Sequence, residues 1–251
     1  MNITILRFET IGSTNDEALR QARLGADEGL CIMARQQTSG RGRHGRVWAS
    51  DLDSGLYLSI VLRPNIETRF FPLITLMSGV SVHDTLKEVG LSPDIKWVND
   101  ILVGDKKISG ILAETTETSK GVAVIVGIGI NLTLRNLPDD IRETATSIEA
   151  ETGRRTSAEE LAEVLTKYLA YFYRLLGDKT GPQEIIEHWR QRSSYFSGRA
   201  VRVKLTGKVL EGTTDGLEEN GALRVRTTTG ELRVVQAGDV ERLRPRQNRE
   251  R

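Results

Sequence analysis

Residues 95–132 read IKWVNDILVGDKKISGILAETTETSKGVAVIVGIGINL. Ile95 to Trp97, Ile101 to Val103, Lys107 to Ala113 and Val122 to Leu132 are β-rich, and polar turns at Asn99-Asp100, Gly104-Asp105 and Thr115 to Gly121 separate them. The stretch predicts a β-meander. Within its last segment, Gly127 and Gly129 interrupt an apolar run, and glycine inside a strand marks the close approach of another group. Asn131 then stands at the end of a buried run, either to bind a ligand or to satisfy backbone groups.

Upstream, the first residues predict a strand over Ile3 to Phe8 and a helix capped by Ser13 or Thr14, with Asp16 and Glu17 in its first turn and Gly25 at its end. A buried strand is expected at Leu30 to Ala34, and an alternating, β-rich strand at Leu56 to Leu62. A helix is expected from Pro72, tolerated in a first turn, to Val89, before Gly90. Downstream, two or three helices follow; the clearest is Ala158 to Leu176, capped by Thr156 or Ser157, and another is Pro182 to Arg192. From Gly198 onward, short alternating strands and glycine turns predict a barrel of about fifty residues. The expected organisation is therefore a domain over 1–195, a small domain over 196–245 and a frayed basic tail over 246–251.

Composition narrows the function. The formal net charge is +1 over 251 residues, which argues against a general nucleic-acid binder. A single cysteine, Cys31, in an apolar run excludes an intramolecular disulfide framework and reads as a buried thiol. His44, His83 and His188 lack ligand-like spacing, so a zinc site is not expected. Arg7, Glu9 and Asp16 argue against a signal peptide, and the apolar run Val122 to Ile130 is too short to span a bilayer, so a cytoplasmic protein without membrane contact is expected.

The sharpest local signal is Gly40-Arg41-Gly42-Arg43-His44-Gly45-Arg46. Its glycines let backbone N–H groups approach an anion, and its three arginines add guanidinium forks. Like charges packed this closely repel, which favours anion binding over a solvated turn. Gly40, Gly42 and Gly45 also fit G-x-G-x-x-G, but no helix is expected to open after them, and neither a kinase signature set nor a P-loop accompanies them. Trp48 beside this loop is either a core aromatic or a platform for a nucleobase. Lys96, Lys107 and Asp100 lie near sheet ends. Together with the arginines they point to a polyanion and its metal, and Asp100 is the candidate Mg²⁺ ligand unless it only forms an Asn-Asp turn.

In this order, Ser13-Thr14-Asn15, Gln37 to Trp48, Lys96 to Asp100, Lys106 to Glu114 and Gly127 to Leu132 resemble the biotin–protein ligase family. The C-terminal segment resembles that family's SH3-like end domain. The sequence departs from the family at Val98, where proline is usual, and at His44, often basic. The resemblance implies an α+β fold: a central mixed sheet flanked by helices, like a class II synthetase, with a small SH3-like barrel. It implies a ligase that activates biotin with ATP to biotinyl-5'-AMP and passes it to the acceptor lysine of a biotin carboxyl carrier protein. It further implies biotin contacts from Ser13, Thr14, Asn15, Gln37, Gly40, Arg41, Gly42, Arg43, Lys107 and Gly110. Nucleotide contacts fall to Arg43, Arg46, Trp48, Lys96, Asn99, Asp100 and Asn131, with Mg²⁺ at Asp100. Lys107 and Arg43 are the expected catalytic pair, and Arg244 is a further candidate for the triphosphate. The arginine loop is expected to be mobile when empty and to close over the adenylate. Some relatives carry an N-terminal helix-turn-helix repressor domain; with catalytic motifs starting at Ser13, a ligase without DNA binding is expected, and a homodimer is one candidate assembly. The alternatives are a lipoate or octanoate ligase of the same broad fold and a non-catalytic biotin sensor.

Overall fold

The computed structural model describes residues 1–135, 139–205 and 207–242. Arg244 and the tail 246–251 lie outside the described residues. The first sheet holds β1 (Thr4–Ile11), β2 (Leu30–Gln37), β3 (Gly55–Leu62), β4 (Pro93–Lys96), β5 (Asp100–Val103), β6 (Lys106–Thr118) and β7 (Gly121–Asn131). Its order is β1-β2-β3-β7-β6-β5-β4. β1 and β2 run parallel and the other pairs antiparallel, so the sheet is mixed, as expected. The meander is present, but β6 runs on to Thr118 and pairs with Gly121, so the expected long turn from Thr115 is instead mostly strand.

The period-2 alternation of β7 sorts the two faces. Val124, Val126, Ile128 and Ile130 enter the main core, built against α2 (Pro72–Glu88), α5 (Ala158–Leu176) and α6 (Gly181–Arg190). Ala123 and Ile125 face the other way and pack with Ala18 and Ala22 of α1 (Thr14–Arg23). Ser13 caps α1, accepting from the Asp16 N–H at 3.4 Å, and Ser157 caps α5. Two short helices, α3 (Asp139–Thr144) and α4 (Ile148–Thr152), follow β7, so four helices stand where two or three were expected. Among the described residues no helix is long and apolar enough to cross a membrane.

The second sheet is antiparallel, in the order β11-β10-β9-β8-β12: β8 (Ser197–Leu205), β9 (Lys208–Leu217), β10 (Leu223–Thr227), β11 (Leu232–Val235) and β12 (Asp239–Arg242). The expected α+β class with a separate C-terminal β-unit is borne out. The two sheets are joined through apolar contact: Gly221 packs on Leu76 and Leu73 of α2 so closely that a Cβ there would sit 2.7 and 3.0 Å from them. The Trp97 indole donates to the Gly221 carbonyl at 2.9 Å, and Arg242 pairs with Asp105 at 2.8 Å.

Candidate active site

A cavity of about 210 Å³ opens on the α1 face of the first sheet, beyond the N-terminus of α1. Register explains why space exists there. Gly127 and Gly129 continue the β7 face that carries Ala123 and Ile125, but without side chains. Across the sheet, Gly129 pairs with Tyr57 and Gly110, and Gly110 pairs with Asp100, so one row reads Tyr57, Gly129, Gly110, Asp100. The next row is Ser59, Gly127, Leu112. The glycines are filled from above: a Cβ on Gly127 would meet Asn15 Oδ1 at 2.1 Å, and one on Gly129 would meet Trp48 Nε1 at 2.4 Å.

One end of the cavity is a buried polar network. The Thr14 N–H donates to Gln37 Oε1 at 2.8 Å and the Thr14 hydroxyl lies 3.0 Å from the same oxygen. Gln37 Nε2 donates to Ser50, which donates to the Trp48 carbonyl. The Ser59 hydroxyl donates to Asn15 Oδ1 at 2.6 Å and sits 2.8 Å from Thr14 Oγ1. Asn15 Nδ2 donates to Glu114 at 2.8 Å, and Glu114 also takes the Arg41 guanidinium, which pairs with Asp16 at 2.9 Å. Every member is thus held in one orientation, which buried polar groups require.

The other end is charged. Asp100 bridges Lys107 at 2.6 Å and Lys96 at 3.0 Å. Burial pushes the Asp100 carboxyl up, but the two ammonium groups more than offset this and hold it below its ordinary value. The Lys107 ammonium lies 5.4 Å from the Trp48 ring centre. The arginine segment is a hairpin. Arg41 bridges Val47, Gly42 N–H donates to the Arg46 carbonyl at 2.7 Å, and Trp48 N–H to the Gly40 carbonyl at 2.9 Å. Arg43 at its tip donates to Asn99 Oδ1 at 2.9 Å. Burial pushes its guanidinium below the ordinary value, partly countered by Asp239 and Asp100.

The structure brings most of the expected residues together around the cavity: Ser13, Thr14, Asn15, Gln37, Arg41, Gly42, Arg43, Arg46, Trp48, Asn99, Asp100, Lys107, Gly110 and Asn131 all line it. Four readings change. Gly40 lies behind the wall: a Cβ there would meet the Trp48 carbonyl at 2.4 Å, so it serves the hairpin's close approach. Lys96 lines an adjoining cleft with Asp100 and Lys107. Arg46 turns to Asp239 on β12, at 2.8 and 3.0 Å. As it stands Asp100 is a poor Mg²⁺ ligand, because each of its oxygens already carries an ammonium group, from Lys107 and Lys96. Asn131 donates to the Thr146 carbonyl at 3.0 Å, which fixes the segment Thr144-Ala145-Thr146 as a cavity wall beside Lys107. Sequence reading missed that wall, Ser59 and Asp239. Ser59 left a signal, a hydroxyl in the apolar strand LYLSIVL; Asp239 left none.

Residues 8–131 match the biotin/lipoate A/B protein ligase family, and residues 196–243 match the biotin protein ligase C-terminal domain. The bifunctional ligase/repressor BirA of Bacillus subtilis is 32% identical over 94% of this chain and 73% of its own length. The biotin–[acetyl-CoA-carboxylase] ligase of Paracoccus denitrificans is 31% identical over 91% of this chain and 96% of its own. The chain belongs to the biotin–protein ligase family. Among solved structures, the biotin protein ligase of Aquifex aeolicus in complex with biotin and ATP superposes with a TM-score of 0.83. It is 28% identical, over 96% of this chain and 99% of that one. Family membership makes the cavity the candidate ligase site.

Proposed function

We propose that this ligase joins biotin to ATP as biotinyl-5'-AMP and passes the biotinyl group to the acceptor lysine of a biotin carboxyl carrier protein. The observation that carries this reading is the polarity of one cavity, with the hydrogen-bonding side chains of Thr14, Asn15 and Gln37, backed by the Arg41–Glu114 ion pair, at one end and Lys107 with Arg43 at the other. A ureido ring is neutral and rich in hydrogen-bonding groups, whereas a carboxylate meeting a triphosphate brings only negative charge. The names of the relatives, and the biotin and ATP bound by the Aquifex aeolicus ligase, support the same substrates.

In the first step a biotin carboxylate oxygen attacks the α-phosphorus of ATP, and the bond to the β-phosphate breaks to release pyrophosphate. Two anions must meet, and the Lys107 ammonium faces their meeting point, with Arg43 near by. Such preorganised charge lowers the barrier where charge accumulates. Ser13, Thr14, Asn15 and Gln37 hold the head group, and Gly110 leaves room for it; Asn99 and Asn131 serve the nucleotide. No step is assigned to a metal, because both Asp100 oxygens are engaged by lysines. In the second step the carrier lysine, as a free amine, attacks the acyl carbon and AMP leaves. Asp100, held below its ordinary value, is a weak base and is not assigned the amine's proton. We read 1–195 as the catalytic unit and 196–245 as a small unit that supports it.

The test is pyrophosphate release with purified protein, ATP and one of biotin, lipoate or octanoate, followed by transfer to a carrier domain. Release with biotin alone, and label on the carrier lysine, is expected. Release with lipoate or octanoate instead, or with none, overturns the reading.

A further inference from the structure

We infer that Asp239, on the small C-terminal sheet, is a positioning residue for the ligase site: by holding Arg46 it keeps the arginine hairpin shut over the cavity and so retains the activated intermediate. The inference rests on the proposed adenylate chemistry for its consequence, though not for its geometry.

Arg43 and Arg46 look equivalent in the sequence but face different partners. Arg46 donates to Asp239 through one nitrogen, Nη2 lying 3.0 and 2.8 Å from the two carboxylate oxygens, so at the cavity rim, where both residues lie, its charge is already paired with the neighbouring sheet. Arg43 stands 3.9 Å from Asp239, donates to Asn99, and has a side chain only 17% exposed where that of Arg46 is 61% exposed. One arginine is the tether and the other is the group kept for ligand. The root of the hairpin is fixed separately, by Arg41 on Glu114 and Asp16. Beyond it, Val47 is 80% exposed and His44 is exposed, so among the described residues the tip is held by the bond of Arg43 to Asn99 and by Asp239. Asp239 therefore supplies the outer anchor from 193 residues away in the chain. Gly238 adds a carbonyl 3.5 Å from Arg43.

The experiment compares the full chain as wild type, Asp239→Asn, and the charge swap Arg46→Asp with Asp239→Arg. Two readouts are taken. The first is trypsin cleavage after Arg41 or Arg43 without ligand, relative to cleavage after Arg190, which reports general unfolding. The second is biotin label on albumin, relative to pyrophosphate released. An exposed pair is worth little, so Asp239→Asn should raise both ratios about two- to fivefold. The swap should return both towards wild type, and salt near 1 M should make wild type behave like Asp239→Asn. Unchanged cleavage or leakage in Asp239→Asn overturns the inference. So does reduced leakage, which would mean that Asp239 competes with the ligand for Arg46, and so does a swap that fails to restore the hairpin. The cleavage arm needs no activity, so failure of the ligase reading would appear separately, as wild type releasing no pyrophosphate.

Discussion

The Trp48 indole lies flat against Gly129, where a Cβ would come within 2.4 Å of both Nε1 and Cε2. Its N–H is buried there and meets no acceptor among the described residues. A buried donor without a partner costs about 1–3 kcal/mol, so this ring position is held by the surrounding packing and not by its own bonding. Gly129→Ala should push the ring off the floor of the cavity. Overpacking of this kind costs roughly 1–3 kcal/mol, and part of it should appear as weaker biotin binding because Trp48 lines the cavity. Calorimetric titration with biotin checks this; unchanged affinity would show that the indole does not shape the pocket.

Lys107 and Lys96 share Asp100, yet only Lys107 reaches the main cavity. Lys107→Ala should slow adenylate formation by about 2–4 kcal/mol, the range for a dedicated electrostatic group, with a smaller effect on biotin affinity. Lys96→Ala should act more weakly and through ATP. Single-turnover pyrophosphate release separates the two, and near-normal release from Lys107→Ala would remove it from the mechanism.

The fold was largely legible in the sequence, because the cues were local. β-rich segments between polar turns gave the meander, Ser13 or Thr14 gave a cap, and the glycines within β7 marked a close approach. What escaped depends on partners distant in the chain. Asp239 meets Arg46 only after two sheets pack, and nothing around it marks an acid with a task. Ser59 and Asn15 become one network only through the β3–β7 register. The roles of Arg46 and Lys96 shifted for the same reason: a charged side chain advertises its charge, and its partner is decided by tertiary structure.

Away from the site, Asp84 on α2 accepts from Arg192 Nε and Nη2 at 2.7 and 2.8 Å and lies 2.9 Å from His83 Nδ1. Burial raises its carboxyl, but these partners more than offset that and bring it to about 2, from 3.8. A depressed carboxyl stabilises the fold above the unfolded value and loses that contribution as pH falls through the folded one. About 2 kcal/mol should therefore be present above pH ~4 and be lost towards pH ~2. Asp84→Asn should flatten this part of the stability profile while leaving Arg192 short of an anion. Urea unfolding between pH 5 and pH 2 tests it; a wild-type slope matched by the mutant would place the acid sensitivity elsewhere.

Arg43 completes the account of the hairpin, because it is the arginine left to face the ligand once Arg46 is tied to Asp239. Its guanidinium is largely buried beside Asn99 and close to the cavity that Lys107 also lines. Arg43→Gly removes a charged hydrogen-bonding group, worth about 1.5–3 kcal/mol, and adds backbone freedom at the hairpin tip. In the proposed reading biotin is held mainly by the network around Thr14 and Gln37, which the change does not touch, so its affinity should fall little. The adenylate carries a phosphate and should lose much more. Adenylate should then form, escape and react with whatever amine it meets, so albumin should become labelled. Off-rates of biotin and of biotinyl-5'-AMP, measured side by side, give the expected asymmetry. Unlike the loss of Asp239, this defect should not be repaired by any charge change at position 239. Equal off-rates for wild type and mutant, with no bystander label, would make Arg43 a structural residue and the hairpin a fixed wall.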